Sequence, residues 1–383
     1  MNELATTTAV ERLALLDRVL PRRGGLLIIP HDFPDPDALA SAGALHLLLE
    51  RRWRLPSRIV VSGTIARAEN REMVKHFRHR LWPLESLHPP RRPFPTLLVD
   101  ARPGSGNVTL MPWMRPIAVF DHHPVPQHPA VPLPPFADIR PHLGACTSLL
   151  HEYLAAAGVE PPAWLAACMA YAIESETMDF ARGGVAEDRA AWLALLPRAS
   201  LRLRGLIRHA PLSADYFALL REALANARIY GNIAWSHLSA VPNPEIAPEI
   251  ADRLVRLERV SYAFCTAFRE DTLLVSIRSN RRNARCGAII RAVIGQQGSG
   301  GGHDRLAAGS IPVAGLDADQ RAALLEQLRA RLLQLIAPRG RPWPEGQVRA
   351  RALTGESVPV PASATEPPAS PPSGPSDAPA TSP

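Results

Sequence analysis

Lysine is almost missing from this sequence: of its 43 basic residues only Lys75 is lysine. That disfavours mechanisms built on a lysine amine and leaves arginine as the default contact for anions. Cysteine is scarce as well. Cys146, Cys168, Cys265 and Cys286 lie far apart with no CxxC pair, which argues against a thiolate zinc site and against the disulfide framework of a small secreted protein. No stretch reaches the roughly 18 to 20 consecutive apolar residues of a membrane span. Glu3, Glu11 and Asp17 stand where a secretory leader would be basic and then apolar. The expectation is a cytoplasmic protein with no membrane partner. A net charge of +7 permits an anionic partner but falls short of the dense basic stripe of a duplex-DNA binder.

What the chain does have is apolar material, 46% of 383 residues, enough for two hydrophobic cores. Gly25 to Pro30, Arg58 to Ser62, Pro95 to Asp100 and Pro116 to Asp121 are short apolar runs flanked by breakers, and each reads as a buried parallel strand. Helical patterns lie between and after them, at Ala38 to Arg52, Ala66 to Arg80, Thr147 to Ala157 and Ala163 to Ile173. This alternation predicts a parallel α/β domain over residues 1–195, followed by a linker over 196–211. From residue 212 the pattern changes. A helix from Tyr216 to Ile229, a strand from Ile233 to Leu238, a helix from Pro248 to Leu257 and a hairpin joining Val260 to Phe268 with Thr272 to Arg278 predict a smaller α+β domain over 212–340. Residues 341–383, ending in a Pro/Ala/Ser run without aromatics, read as a disordered tail.

Polar residues cluster at the strand ends. His31, Asp32, Asp35 and Asp37 follow the first strand, Asp100 ends the third, and Asp121, His122 and His123 end the fourth. Loops at the carboxyl ends of parallel strands share one crevice, so these groups converge. Carboxylates so crowded repel one another unless cations neutralise them. Mixed Asp and His ligation without thiolate favours manganese, with magnesium, cobalt or zinc as alternatives. Two such ions about 3.5 to 4 Å apart suit phosphoester hydrolysis. Taken singly, Asp35 and Asp37 read equally as caps of the helix that starts at Ala38, and the two histidines as a surface pair.

These residues resemble the DHH/DHHA1 phosphoesterase superfamily. Asp121-His122-His123 is the DHH triplet itself; His31, Pro34, Asp35, Asp37, Ala38 and Ser41 match the family's first motif, with Phe33 where the family has asparagine. Asp100 matches its second motif, and Ala172 to Thr177 its fourth, with Glu176 in place of the usual aspartate. Gly300-Gly301-Gly302-His303 through Ala307-Ala308-Gly309 matches the DHHA1 signature, and Ser276 to Ser279 resembles the S-x-R-S element that family members aim at a substrate phosphate.

The resemblance implies a DHH catalytic domain and a DHHA1 substrate-binding domain with the active site in the cleft between them. It implies two manganese ions per chain, one held by His31 and Asp35, the other by Asp37, His122 and Glu176, with Asp100 bridging. His123 would contact the scissile phosphate, and Asp121 would orient the histidines. Arg278, Ser279, Gly300, Gly301, Gly302 and His303 would bind substrate. The oligoribonuclease and pAp-phosphatase branch fits best: hydrolysis of short RNA or DNA oligonucleotides, linear dinucleotides or nucleotide bisphosphates to nucleoside monophosphates, with a homodimer compatible. The alternatives are a cyclic-dinucleotide phosphodiesterase, or a nucleotide sensor weakened by the Glu176 and Phe33 departures.

Overall fold

The computed structural model describes residues 7–77, 80–125, 131–181, 183–302, 304–336 and 351–352. They divide into two compact units, Met1–Tyr216 and Phe217–Pro383. Among the described residues no helix is long and apolar enough to cross a membrane.

In the first unit α1 (Ala9–Val19) precedes β1 (Leu26–Ile29), α2 (Pro36–Leu48), β2 (Ser57–Val61) and α3 (Ala68–Phe77). Then come β3 (Leu81–Pro83), β4 (Phe94–Val99), β5 (Met114–Asp121), β6 (Phe136–Ile139), α4 (Cys146–Ala156), α5 (Ala163–Thr177), α6 (Ala186–Leu195) and α7 (Leu201–Arg208). The six strands form one parallel sheet in the order β3-β2-β1-β4-β5-β6. Alternation sends Ile28, Ile59, Leu97 and Phe120 to the face covered by the helices, and Leu27, Val60, Leu98 and Val119 to a face covered by Trp82, Leu87, Val108 and Trp113.

Two strands escape the sequence pattern. β3 is three residues ending in proline, and β6 carries Asp138, whose burial is tolerated because Arg140 clasps both its oxygens and the Tyr153 hydroxyl donates to one of them at 2.7 Å. Residues 196–211, expected as a linker, instead carry α7, which buries Leu203 and Ile207 in the first core.

α2 is the central helix. Every residue from Pro36 to Leu48 except His46 is buried, which is why its sequence is apolar on all sides rather than amphipathic. It continues as a π-helical turn from Leu49 to Trp53.

The second unit begins inside α8 (Ala214–Asn226). The expected helix to Ile229 stops earlier because Arg228–Tyr230 is β7, paired with β8 (Ile233–Leu238) across the two-residue turn Gly231-Asn232, where Gly231 is left-handed. α9 (Ile246–Leu254), β9 (Tyr262–Arg269), β10 (Thr272–Ser279), α10 (Cys286–Ile294), β11 (Ser299–Gly302), β12 (Leu306–Pro312) and α11 (Ala318–Ile336) follow. A last strand, β13 (Arg351–Ala352), lies antiparallel to β7 inside the stretch expected to be a disordered tail; the rest of that stretch lies outside the described residues. The sheet is mixed, in the order β11-β12-β10-β9-β8-β7-β13, and its core is closed by Ile290 and Val293 of α10 and Leu324, Leu328 and Leu332 of α11. The chain is therefore α/β: a parallel-sheet unit followed by an α+β unit.

Gly43 marks the tightest packing around α2. A Cβ there would sit 2.9 Å from Leu165 Cδ1 of α5 and 2.9 Å from the Phe77 ring. Gly43→Val should destabilise the first unit by about 1–3 kcal/mol, read as a lower urea midpoint; a wild-type midpoint would show that α2 and α5 can separate freely.

Candidate functional site

The first sheet reverses its strand order between β1 and β4, and open parallel sheets bind ligands at the carboxyl ends of the strands beside such a reversal. Register carries the sequence to that point. Ile29 is paired with Leu98 and Val99 with Phe120, so His31, Asp100 and the Asp121-His122-His123 run emerge side by side. Asp100 turns out of β4 in a left-handed conformation, φ 54°, while its N–H still donates to Phe120 O at 2.8 Å.

Asp100 is the centre of the cluster. His31 Nε2 lies 3.6 Å from its Oδ2, and His122 Nε2 and His123 Nδ1 lie 3.3 and 3.4 Å from its Oδ1. Oδ1 is buried yet accepts no hydrogen bond. The other nitrogens of two rings face backbone carbonyls: His31 Nδ1 is 2.9 Å from Asp32 O, and His122 Nδ1 is 3.2 Å from Leu143 O. A carbonyl can only accept, so both rings carry hydrogen at Nδ1 and turn Nε2 toward the carboxylates. In neutral rings those Nε2 lone pairs would face carboxylate lone pairs, an arrangement that a cation or an added proton must relieve.

Two groups of potential ligands result, His31 with Asp35 and Asp100, and Asp100 with His122 and His123. They fit a divalent cation on the strength of the unsatisfied Asp100 oxygen and the outward-facing N–H groups, the usual way a protein fixes a ligating imidazole.

The remaining carboxylates have distinct employments. Asp35 caps α2, its Oδ1 accepting from Ala38 N at 2.9 Å while standing 3.6 Å from His31 Nε2; capping and clustering are compatible. Asp37 accepts from Cys146 N at 2.7 Å and Thr147 N at 2.8 Å, so it serves the first turn of α4, whose own N-cap residue, Ala145, cannot. His122 Nε2 lies 3.7 Å from its Oδ2. Asp121 accepts from the His123 backbone N–H at 3.0 Å and ring Nδ1 at 2.8 Å, and from Arg102 Nη1 at 2.9 Å. Asp32 belongs to a loop rather than the cluster, holding the Thr109 N–H and hydroxyl at 3.0 and 2.7 Å.

Glu176, in the last turn of α5, joins neither ligand group, and nor does Asp37, although the Glu176 charge acts on both Asp37 and His122. Phe33 is left-handed at φ 55° and lays its ring against Gly63, where a Cβ would come within 2.7 Å of the ring; the face away from Gly63 leaves it 40% exposed.

Electrostatics follow this crowding. Burial alone would lower the His31 pKa, but the hydrogen bond and charge of Asp35, with the charge of Asp100, hold it up to about 10. His122 is likewise raised, burial being outweighed by Asp100, Asp37 and Glu176. Burial and the neighbouring Asp100 push Asp37 up to about 7. Burial, Asp100 and Asp37 together raise the Cys146 thiol well above its usual range, so it sits in the site as a neutral side chain.

Sequence reasoning missed Arg102, the Leu143 carbonyl and the Cys146 and Thr147 amides. Only Arg102 left a trace, an arginine two residues past the strand-end Asp100.

In the second unit the expected substrate contacts are differently employed. Arg278 donates from Nε to Asp252 Oδ1 at 2.6 Å and from Nη1 to Ser276 Oγ and Ile277 O, each at 3.1 Å, so a bidentate grip on a phosphate would compete with one of these acceptors. Ser279 is buried and donates its hydroxyl to Ser261 O at 2.7 Å. Gly300, Gly301 and Gly302 form an edge strand on β12 rather than an open loop. Glycine is required at Gly302 because backbones crowd: at φ 143° a Cβ would meet Ala307 Cα at 2.4 Å, and one on Gly287 of α10 would meet Gly302 O at 2.3 Å. His303 lies outside the described residues. Arg281, Arg282 and Arg285 are exposed.

Residues 231–334 match the DHHA1 domain. Over 323 residues the chain is 30% identical to the uncharacterized protein MJ1633 of Methanocaldococcus jannaschii, covering 82% of this chain and 65% of the relative. The chain thus spans about 65% of the length of that curated relative. The fold is similar to that of an exopolyphosphatase-related protein from Bacteroides fragilis, with a TM-score of 0.67 at 14% identity over 86% of this chain and 98% of the other. RecJ from Thermus thermophilus, solved with Mn2+, matches with a TM-score of 0.49 at 17% identity over 87% of this chain and 56% of its own.

With its pKa near 10, His31 is protonated at neutral pH in the cation-free chain and must lose that proton to offer Nε2. Mn2+ binding at pH 7 should therefore release protons and tighten as the pH rises toward 10, measured by calorimetry in two buffers of different ionisation heat. Equal heats in both buffers would remove His31 from the ligand set.

Proposed function

We propose that this chain, whose residues 231–334 match the DHHA1 domain and whose fold is similar to that of an exopolyphosphatase-related protein, is a DHH/DHHA1-type metal-dependent phosphoesterase that hydrolyses short oligonucleotides or small nucleotides to nucleoside monophosphates. The observation that carries this reading is the buried Asp100 carboxylate, whose Oδ1 has no donor and is approached by His122 and His123 while His31 approaches Oδ2. His31 and Asp35 would hold one divalent cation, manganese by the character of the donors, and His122 with Asp37 and Glu176 a second, with Asp100 shared between them. Bound there, such cations polarise a phosphoryl oxygen and lower the pKa of water.

The chain's own residues divide the rest of the work. The Leu143 and Asp32 carbonyls fix the His122 and His31 rings so that neither nitrogen has to reorient. Asp121 holds His123 at Nδ1, so Nε2 is the nitrogen that would meet the leaving oxygen; His123 is also the most exposed of the three rings, at 29% against 14% and 10%. As a general acid it would pass the Nε2 proton to that oxygen.

A second reading, a nucleotide sensor with little turnover, is favoured by one observation: Asp37 and Glu176 stand outside both ligand groups. Stoichiometry separates the two. A hydrolase should bind two Mn2+ per chain at saturation, whereas a sensor would bind nucleotide with fewer and release no product.

The direct test is incubation of the purified chain and Mn2+ with dinucleotides, pAp, linear and cyclic dinucleotides, pyrophosphate and polyphosphate. Polyphosphate is included because the Bacteroides fragilis protein of similar fold is described as exopolyphosphatase-related. Mononucleotide release is expected, falling by more than about 100-fold in Asp100→Ala and His122→Ala that still melt cooperatively. No phosphate or nucleotide released from any member of the panel would end the hydrolase reading.

A further inference from the structure

The structure assigns to Arg102 the positioning of His123, through Asp121. Arg102 leaves the end of β4 just past Asp100 and reaches across to β5. Its fork is divided between two acceptors: Nη1 donates to Asp121 Oδ2 at 2.9 Å and Nη2 to Pro124 O at 2.9 Å. One planar group thus ties the last residue of β5 to the turn beyond the two histidines. Its side chain is 11% exposed and that of Asp121 1%, so the pair is shielded from the water that weakens exposed ion pairs.

With Oδ2 held by Arg102, Asp121 turns Oδ1 to His123, accepting from its backbone N–H at 3.0 Å and its ring Nδ1 at 2.8 Å. His123 Nδ1 has a competing carboxylate, Asp100 Oδ1, at 3.4 Å. Arg102 decides this competition by fixing the Asp121 plane. Without it Asp121 can rotate, and the His123 ring can swing onto the Asp100 oxygen that the cation cluster needs. Arginine is required because a lysine ammonium cannot span both Asp121 and Pro124 in one plane. The loop that carries Arg102 is itself pinned, Asp32 N donating to Asn107 O at 2.7 Å and the Asp32 carboxylate holding Thr109.

This inference rests on the hydrolase reading for its kinetic consequence but not for its structural one, and the test has an arm for each. In histidine-ring 1H–15N spectra of the magnesium form, wild-type protein should show His123 with its hydrogen-bonded proton on Nδ1. Arg102→Gln should lose or shift that signal while the His31 signal stays in place. An unchanged His123 signal in Arg102→Gln would overturn the proposal whether or not any substrate is turned over. In the kinetic arm, Arg102→Gln should lower kcat by about 10- to 100-fold with KM within about twofold, and Arg102→Lys should recover only part of the loss. Combined with His123→Ala, Arg102→Gln should cost nothing further, since both act through one ring. Full additivity of the two substitutions would assign Arg102 a purely structural role and overturn the inference. Arg102→Lys, which keeps the charge, supplies the same readouts if Arg102→Gln does not fold.

Discussion

Asp100 Oδ1 lies buried at the carboxyl edge of a parallel sheet with no hydrogen-bond donor of its own, and the surrounding residues are arranged around that deficit. A buried charged acceptor left unsatisfied costs several times what a typical hydrogen bond contributes. Two imidazoles, His122 and His123, approach it and a third, His31, approaches the other oxygen of the same carboxylate; His31 and His122 have their far nitrogens fixed by backbone carbonyls, so the site holds its shape without closing on itself. A protein that needed only stability would have spent a serine or a backbone N–H on this oxygen. Leaving it open is useful when a positively charged guest completes the set.

Much of this was legible because the chemistry sits at strand ends. Four of six strands and the convergence of His31, Asp35, Asp100, His122 and His123 follow from apolar runs ending in polar residues, a local signal. β3 and β6 left no such signal, being three and four residues long, and β6 hides a buried aspartate whose partners lie elsewhere in the chain. Asp32, Asp35 and Asp37 look equivalent in sequence, and only three-dimensional contacts separate a loop tie, a helix cap in cis and a helix cap in trans. The Glu176 departure was visible as a change of residue type, while its position outside both ligand groups was not.

The second unit shows the converse case, where a strong local signal gave the wrong local structure. A run of glycines carries the composition of a turn or loop, yet here it is an edge strand. Gly300 and Gly302 answer to the pressure of α10 from one side and β12 from another, a constraint set by packing rather than by chain freedom. Arg278 and Ser279 teach the same lesson: residue type pointed to an anion contact, and nearby acceptors claimed the donors first.

Asp37 ties the cluster to the scaffold in a way that outlasts the chemistry. Its carboxylate stands in for the missing cap of α4, so α2, α4 and the cluster share one side chain. A relative with no use for a cation could shed His31 or His123 at little harm to its architecture, but giving up Asp37 would leave the first turn of α4 uncapped. Among relatives of this chain a surviving aspartate at that position is therefore a poor witness to activity, and the imidazoles are the better fossils.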